Sequence, residues 1–481
     1  MRASPSCTGF PSAAALISAL ALLLVLLTGC AGGPRSLPLG HLPDLDRPQN
    51  AAAYTPTDLL DRPLYGPALA QTLWNDWLAA RLSPWERDAP KYDAGKVSWG
   101  MEAFSQKTMF GINLLPKPEG WLDQLAANAD MDGYPNLVRP AIATANTSMR
   151  VLPTAKPAFY DPAKAGEGFP FDMMQNTAVF AGTPLLASHV SRDKAWILCE
   201  TDTVYGWLPA GDLAFTDQAF MESWRTAEHL TFIRENTPVT CIYGRFRFMG
   251  KVGMVLPRIT VLGGNGSAMD ALIPVRDEQG MAVLLTATLS AADVAAAPLP
   301  PTPRALAALA DALMGRPYGW GGLYDERDCS ALTQDLLAPL GLSLPRNSSQ
   351  QASAGLAFPL EGLEPERKSQ VVLEQGVPWL TLLYRPGHIM LYIGAHDGEP
   401  VILHDMWGVK TLHGDVEGRR VVGRVVITSL ALERDVPDVV PGSTLLERLT
   451  AMVVLVPQAL KREPYPVTLQ PAADGLAANR Q

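Results

Sequence analysis

Residues 327–342, RDCSALTQDLLAPLGL, place a cysteine one position after an aspartate, at the mouth of an apolar helical run. Asp328 is a good helix N-cap, which puts Cys329 in the first helical turn. Leu332, Leu336 and Leu340 follow at four-residue intervals, so one face packs on a core, and Pro339 and Gly341 end the helix. A cysteine there is either a small core residue or a nucleophile. The positive end of the helix dipole favours its thiolate form. Hydrolysis also needs a proton shuttle, and two downstream strands offer one. In RPGHIMLYIG (385–394), His388 opens a strand after a Pro-Gly turn, sharing a face with Met390 and Tyr392. In PVILHDMWG (400–408), His404 ends the next strand. Adjacent antiparallel strands bring two such rings within hydrogen-bond reach, the first as base and the second fixing its tautomer.

The whole chain sets the frame for this segment. At 481 residues it is too long for one core, and three or four domains are expected. The 42 prolines and 40 glycines favour short strands and many turns over all-helical architecture. A net charge of −9 with no basic stripe argues against a nucleic-acid partner. No metal-ligand spacing, phosphate loop or nucleotide fingerprint occurs, so neither metal nor cofactor is expected.

The first residues read as an address. Arg2 precedes AAALISALALLLVLL (13–27), an apolar run shorter than the roughly twenty residues that span a bilayer. LTGC (27–30) resembles the lipobox of bacterial lipoproteins. That resemblance implies a signal peptide over 1–29, lipidation at Cys30 and a flexible tether over 30–52. With Ala31 next, it implies an exported protein anchored in an outer membrane and facing the periplasm. Cys7 leaves with the leader, so Cys199, Cys241 and Cys329 remain. Cys199 and Cys241 sit in strand-like apolar runs, as buried free thiols or as a bridged pair, and Cys329 stands alone.

Between tether and nucleophile the texture changes twice. Leu69, Leu73, Trp74, Trp77, Leu78 and Leu82 have helical spacing, which suggests a helical segment over 53–138 whose tryptophan face is core. Short apolar bursts separated by turns follow over 139–218 and again over 219–296, fitting two small β-barrels. GWLPAGDLAF (206–215) resembles the closing strand of bacterial SH3 domains. A proline-rich linker near residue 300 leads to an α+β segment over 303–430, and 431–481 reads as a C-terminal extension.

RPYGWGGLYDERDCSALTQDLLAPLGLSLPRNSSQQA, RPGHIMLYIG and VILHDMWG together resemble the NlpC/P60 family of cell-wall cysteine peptidases. The preceding order resembles the subgroup with a helical N-terminal stabilising segment and two bacterial SH3 domains. The resemblance implies a papain-like catalytic fold in a multidomain chain, with Cys329 as nucleophile, His388 as general base and His404 as orienting residue. The Cys329 N–H and the Tyr318 side chain would serve as oxyanion donors. The implied reaction is hydrolysis of the γ-D-glutamyl–diamino acid bond in peptidoglycan stem peptides. The implied partners are those peptides and, through the lipid anchor, a membrane.

For the glutamate α-carboxylate, Arg346, Ser330 and Ser348 stand where the family motif places a clamp, beside the N-cap Asp328. Tyr318 and Trp320 would wall the cleft, and Gly321 and Gly322 would admit substrate closely. Asn347 stands where peptidases specific for a free N-terminal L-Ala carry aspartate. Loss of that charge puts the demand for a free amine in doubt, unless Asp172 of the first SH3-like module replaces it. Two other readings remain open: a catalytically silent peptidoglycan-binding lipoprotein, and another papain-fold amidase or acyltransferase.

Overall fold

A computed structural model describes residues 42–259 and 266–456. The leader, Cys30, most of the expected tether and the tail beyond 456 lie outside the described residues.

The N-terminal segment is helical. Pro67 opens a sixteen-residue helix, Pro67–Leu82, and its fixed φ suits that first position. Trp74 is buried and stacks on Trp77 at a centroid separation of 5.0 Å. The helix crosses the end of the cysteine helix at Gly341, whose φ is +79°. A β-carbon there would stand 2.6 Å from the Trp74 backbone, so glycine serves both the turn and the approach.

Residues 42–52 correct the expected tether. Leu42 is fully buried against the core of the C-terminal sheet. Asp44 accepts from the Ser429 N–H (2.6 Å), and the Gln49 amide bonds both N–H (2.9 Å) and C=O (2.8 Å) of Ile427. These partners belong to the outermost strand of a sheet, whose free backbone groups need satisfying. The segment is a strap along that edge.

Two β-rich domains follow. The first is a seven-stranded antiparallel sheet, Gln175–Val179, Thr147–Arg150, Tyr205–Pro209, Trp196–Glu200, Pro184–Val190, Arg139–Ala143 and Leu213–Phe215 in spatial order. Its core includes Met149, Leu185, Leu208 and Cys199. Asp217 then caps the helix Gln218–Thr226, accepting from the Phe220 N–H at 2.8 Å. That helix packs Phe220 and Trp224 into a second core with Phe232, Leu256 and Ile273, built on a five-stranded sheet. Cys199 and Cys241 are free and buried.

The C-terminal part is the α+β domain, a six-stranded antiparallel sheet with helices on both faces. Its spatial order is Leu356–Pro359, Ala451–Val454, Thr381–Arg385, His388–His396, Glu399–His413, Val416–Ser429. Period-two alternation sends Leu382, Ile389 and Leu391 to the face covered by helices Pro303–Leu313 and Cys329–Leu337. Leu383, Met390 and Ile402 go to the face covered by helix Pro365–Gln375. Leu332 and Leu336, one turn apart, are fully sequestered, each worth about 2 kcal/mol of burial. The expected boundary at 430 does not hold. Residues 451–454 form an interior strand, hydrogen-bonded on both sides, so the domain runs to at least residue 456.

Candidate active site

Asp328 caps the cysteine helix as its spacing predicts, accepting from the Ala331 N–H at 2.9 Å. Cys329 is the first helical residue and borders a cleft of about 660 Å³. Tyr92, Lys96 and Trp99 of the helical segment, Asn176 and Tyr205 of the first β-domain, and Trp320 line other walls. The cleft therefore needs three parts of the chain.

The Ile389 N–H stands close enough to the Cys329 sulfur to favour its thiolate. That N–H belongs to the peptide joining His388 to Ile389, so the thiol lies beside the backbone at the start of this strand. His388 Nε2 meets His404 Nδ1 at 2.9 Å. The two strands thus join His388 to His404, and the first of them carries the amide that reaches Cys329.

The electrostatics correct the expected resting thiolate. Burial pushes the Cys329 thiol up to about 12, and the Asp328 carboxylate adds to the rise. The Ile389 N–H and Arg346 oppose this without reversing it. Burial, then His404 and Arg385, hold His388 well below the ordinary imidazole range. Burial takes His404 down to about 3. At neutral pH the resting site is therefore a thiol beside two neutral imidazoles, because desolvation outweighs the helix dipole.

Tyr318 stands close enough for the Cys329 charge to bear on its phenol, which burial raises well above its usual range. It remains a donor throughout the neutral range. Its N–H bonds the Gly423 carbonyl (2.9 Å), and the Gly319 N–H bonds Arg327 (2.6 Å), fixing the loop that carries it. Phe171 of the first β-domain meets Trp320, Trp407 and Tyr318 edge-on, at 5.2, 5.8 and 6.4 Å. Phe171 and Trp407 carried no signal in their own neighbourhoods.

Several expected binding residues are turned inward. Arg346 places Nη2 2.8 Å from Asp328 Oδ2 and Nη1 3.0 Å from Oδ1. Its Nη1 also donates to Ser330 Oγ (2.9 Å) and its Nε to Thr177 Oγ1 (2.7 Å). Four of its five N–H groups are thereby engaged. Ser330 in turn donates to Asp328 at 3.0 Å. Arg346 and Ser330 are thus committed to holding the N-cap, although both border the cleft together with Asn347 and Ser348. Asp172 is 2% exposed, pairs with Arg150 at 2.8 Å and caps the Ala158 and Met174 N–H groups. It organises its own loop and is not presented to an amine.

The glycine pair also serves packing. Gly322 has φ +81°, and a β-carbon there would lie 2.3 Å from the Ala178 N in the first β-domain. The neighbouring Gly321 carbonyl accepts from Gln175 at 3.0 Å. The second β-domain grips the same region through Arg327, which donates to Glu235 (3.0 Å), Asp335 (2.8 Å) and the Val252 carbonyl (2.8 Å). Asp405 was also missed. It is fully buried, and neither carboxylate oxygen has a hydrogen-bond partner among the described residues. Burial, then the Asp328 charge, raises it well above the carboxylate range, and it stands close enough to the sulfur to bear on the Cys329 thiol.

Comparison with known proteins defines the class. Four family models match in chain order: the NLPC_P60 N-terminal stabilising domain (19–134), SH3 domains of SH3b1 type (157–209) and SH3b2 type (217–259), and NlpC/P60 (315–412). Residues 315–412 thus match the NlpC/P60 family, preceded by matches to its N-terminal stabilising domain and to two bacterial SH3 domains. A probable endopeptidase of Corynebacterium glutamicum ATCC 13032 is 35% identical over 92 residues, 19% of this chain and 44% of the relative. A probable endopeptidase of C. glutamicum strain R is 35% identical over 94 residues, again 19% and 44%. The chain thus spans less than half the length of these curated relatives. The solved structure of an NlpC/P60 endopeptidase from Photobacterium damselae subsp. piscicida aligns with a TM-score of 0.77 at 24% identity. It covers 85% of this chain and 97% of that one, a likeness of fold.

Proposed function

We propose that this protein is a cell-wall cysteine endopeptidase that cleaves the γ-D-glutamyl–diamino acid bond of peptidoglycan stem peptides. We further propose that lipid on Cys30 tethers it to a bacterial outer membrane, facing the periplasm. The observation that carries the enzymatic reading is the 2.9 Å contact between His388 and His404, one peptide bond from the amide that touches the Cys329 sulfur.

The chemistry follows from that arrangement. His388 takes the thiol proton as sulfur attacks the carbonyl carbon, and the carbonyl oxygen becomes an oxyanion. The Cys329 N–H and the Tyr318 hydroxyl are the available donors to it. Collapse breaks the C–N bond, the departing amine takes the proton from His388, and a thioester remains. Water, losing a proton to His388, then hydrolyses the thioester and returns the thiol. His404 keeps His388 oriented throughout. The three-walled cleft suits a branched peptide, and the two SH3 domains supply surface for the wall.

Purified protein incubated with L-Ala-γ-D-Glu-diaminopimelate peptides should release L-Ala-D-Glu by mass spectrometry, and Cys329→Ala should not. Equal release by both, or loss of a different bond, rejects the assignment. The anchor is tested separately: a Cys30→Ser variant that still partitions into detergent as a lipidated species defeats it.

A further inference from the structure

The hydrogen-bond chain behind the base does not stop at His404. His404 Nε2 lies 3.0 Å from Thr428 Oγ1, and Thr428 Oγ1 donates to the Ser429 carbonyl at 2.9 Å. All three side-chain positions sit in the sheet, on strands His388–His396, Glu399–His413 and Val416–Ser429. Thr428 and His404 are fully buried.

A hydroxyl has one proton to give. Val416–Ser429 is the outermost strand, and the Ser429 N–H turns away from the sheet to Asp44. With the Thr428 proton committed to the Ser429 carbonyl, its oxygen is an acceptor. His404 must then carry its proton on Nε2, which leaves Nδ1 bare. The 2.9 Å contact to His388 is satisfied only if His388 donates from Nε2. His388 is thereby left with a lone pair on Nδ1, the nitrogen on its backbone side, where the Ile389 amide meets the sulfur. Each link fixes the next.

We infer that Thr428 is a positioning residue for the nucleophile–base pair: its hydroxyl, anchored on the Ser429 carbonyl, sets the tautomer of His404 and through it the basic nitrogen of His388. The same chain accepts the charge that His388 acquires when the thiol proton arrives, because His404 Nδ1 faces the new imidazolium as an acceptor. The inference rests on the proposed peptidase reading for its kinetic consequence, though not for the tautomers themselves.

The test joins a spectroscopic and a kinetic measurement on the full chain. Long-range 1H–15N ring correlations on histidine-labelled protein, assigned by single-histidine replacement, report which nitrogen bears each proton. Wild type and Thr428→Ser should show both His388 and His404 protonated at Nε2. Thr428→Val removes the acceptor at nearly constant volume, so His404 should become a mixture of tautomers. Its kcat on stem peptide should fall roughly 10- to 100-fold, the usual cost of losing an outer orienting partner, with KM unchanged. Thr428→Ser should recover most of the rate. The inference is overturned if wild-type His404 carries its proton on Nδ1, or if Thr428→Val keeps both tautomer and rate. If Thr428→Val does not fold, the wild-type and serine spectra still decide. Correct tautomers in a protein that cleaves no stem peptide would reject the proposed function and leave the relay standing.

Discussion

Arg346 lies across both carboxylate oxygens of Asp328, at 2.8 and 3.0 Å, and Asp328 immediately precedes Cys329. The pair is buried, and its third partner, Thr177, belongs to the first SH3 domain. Arg346 holds the Asp328 carboxyl below its usual range although burial pulls the other way. Removing the cation leaves a sequestered carboxylate without compensation. Arg346→Met should therefore destabilise the protein by about 3–5 kcal/mol in chemical denaturation. A loss of substrate affinity with unchanged stability would instead mark Arg346 as an open clamp.

Cys329 should be a reluctant nucleophile in the absence of substrate. Its thiol is pushed up to about 12, so the thiolate fraction stays small across the neutral range. Iodoacetamide modification of Cys329, followed by peptide mass mapping, should accelerate continuously with pH and reach no plateau below about pH 9. A plateau near pH 6 would show a preformed thiolate–imidazolium pair.

Stability should fall on acidification for a reason located at His404. Its folded-state value of about 3 lies below the 6.5 of an unperturbed histidine, so the unfolded chain binds the extra proton. The contribution is complete above pH 6.5 and disappears as pH falls toward 3, on the order of 4–5 kcal/mol in all. The melting temperature of wild type should drop through this window, and His404→Gln should drop less steeply. Parallel curves would disprove the assignment.

The cleft offers no free anion to a substrate amine. Asp328 is the only carboxylate among its described lining residues, and it is bound to Arg346. Lys96 lines the same cleft, on the helix Ala94–Val97. Stem peptides with free and N-acetylated L-Ala should therefore be cleaved with similar kcat/KM, and Asn347→Asp should create a preference for the free amine. Lys96→Glu should raise KM for peptides that carry an additional carboxylate and leave kcat unchanged. Strong wild-type discrimination against the acetylated peptide would count against this view of the cleft.

What the sequence disclosed, and what it withheld, follow one physical division. The placement of Cys329 on a helix start and of His388 and His404 on strands was legible through local context: a cap and leucine spacing around one, strand alternation around the others. The domain order was legible for the same reason, since each β-domain and helix carries its own periodicity. Pairings between distant segments carry no such signature. Nothing near Asp172 says that Arg150 will neutralise it, nothing in RDCS says that Glu235 will hold Arg327, and Gln49 gives no hint of Ile427. Arg346 looked outward because its motif is local and its partner Thr177 is not. The thiolate expectation failed similarly, because helix position is written in sequence and desolvation is written in packing.

The strand Ala451–Val454, lodged between Leu356–Pro359 and Thr381–Arg385, carries a consequence for biogenesis. A nascent chain that has passed the nucleophile, both histidines and Thr428 still presents two open sheet edges facing an empty slot. The sheet that seats Cys329, His388, His404 and Thr428 is closed only when that segment is zipped into the slot.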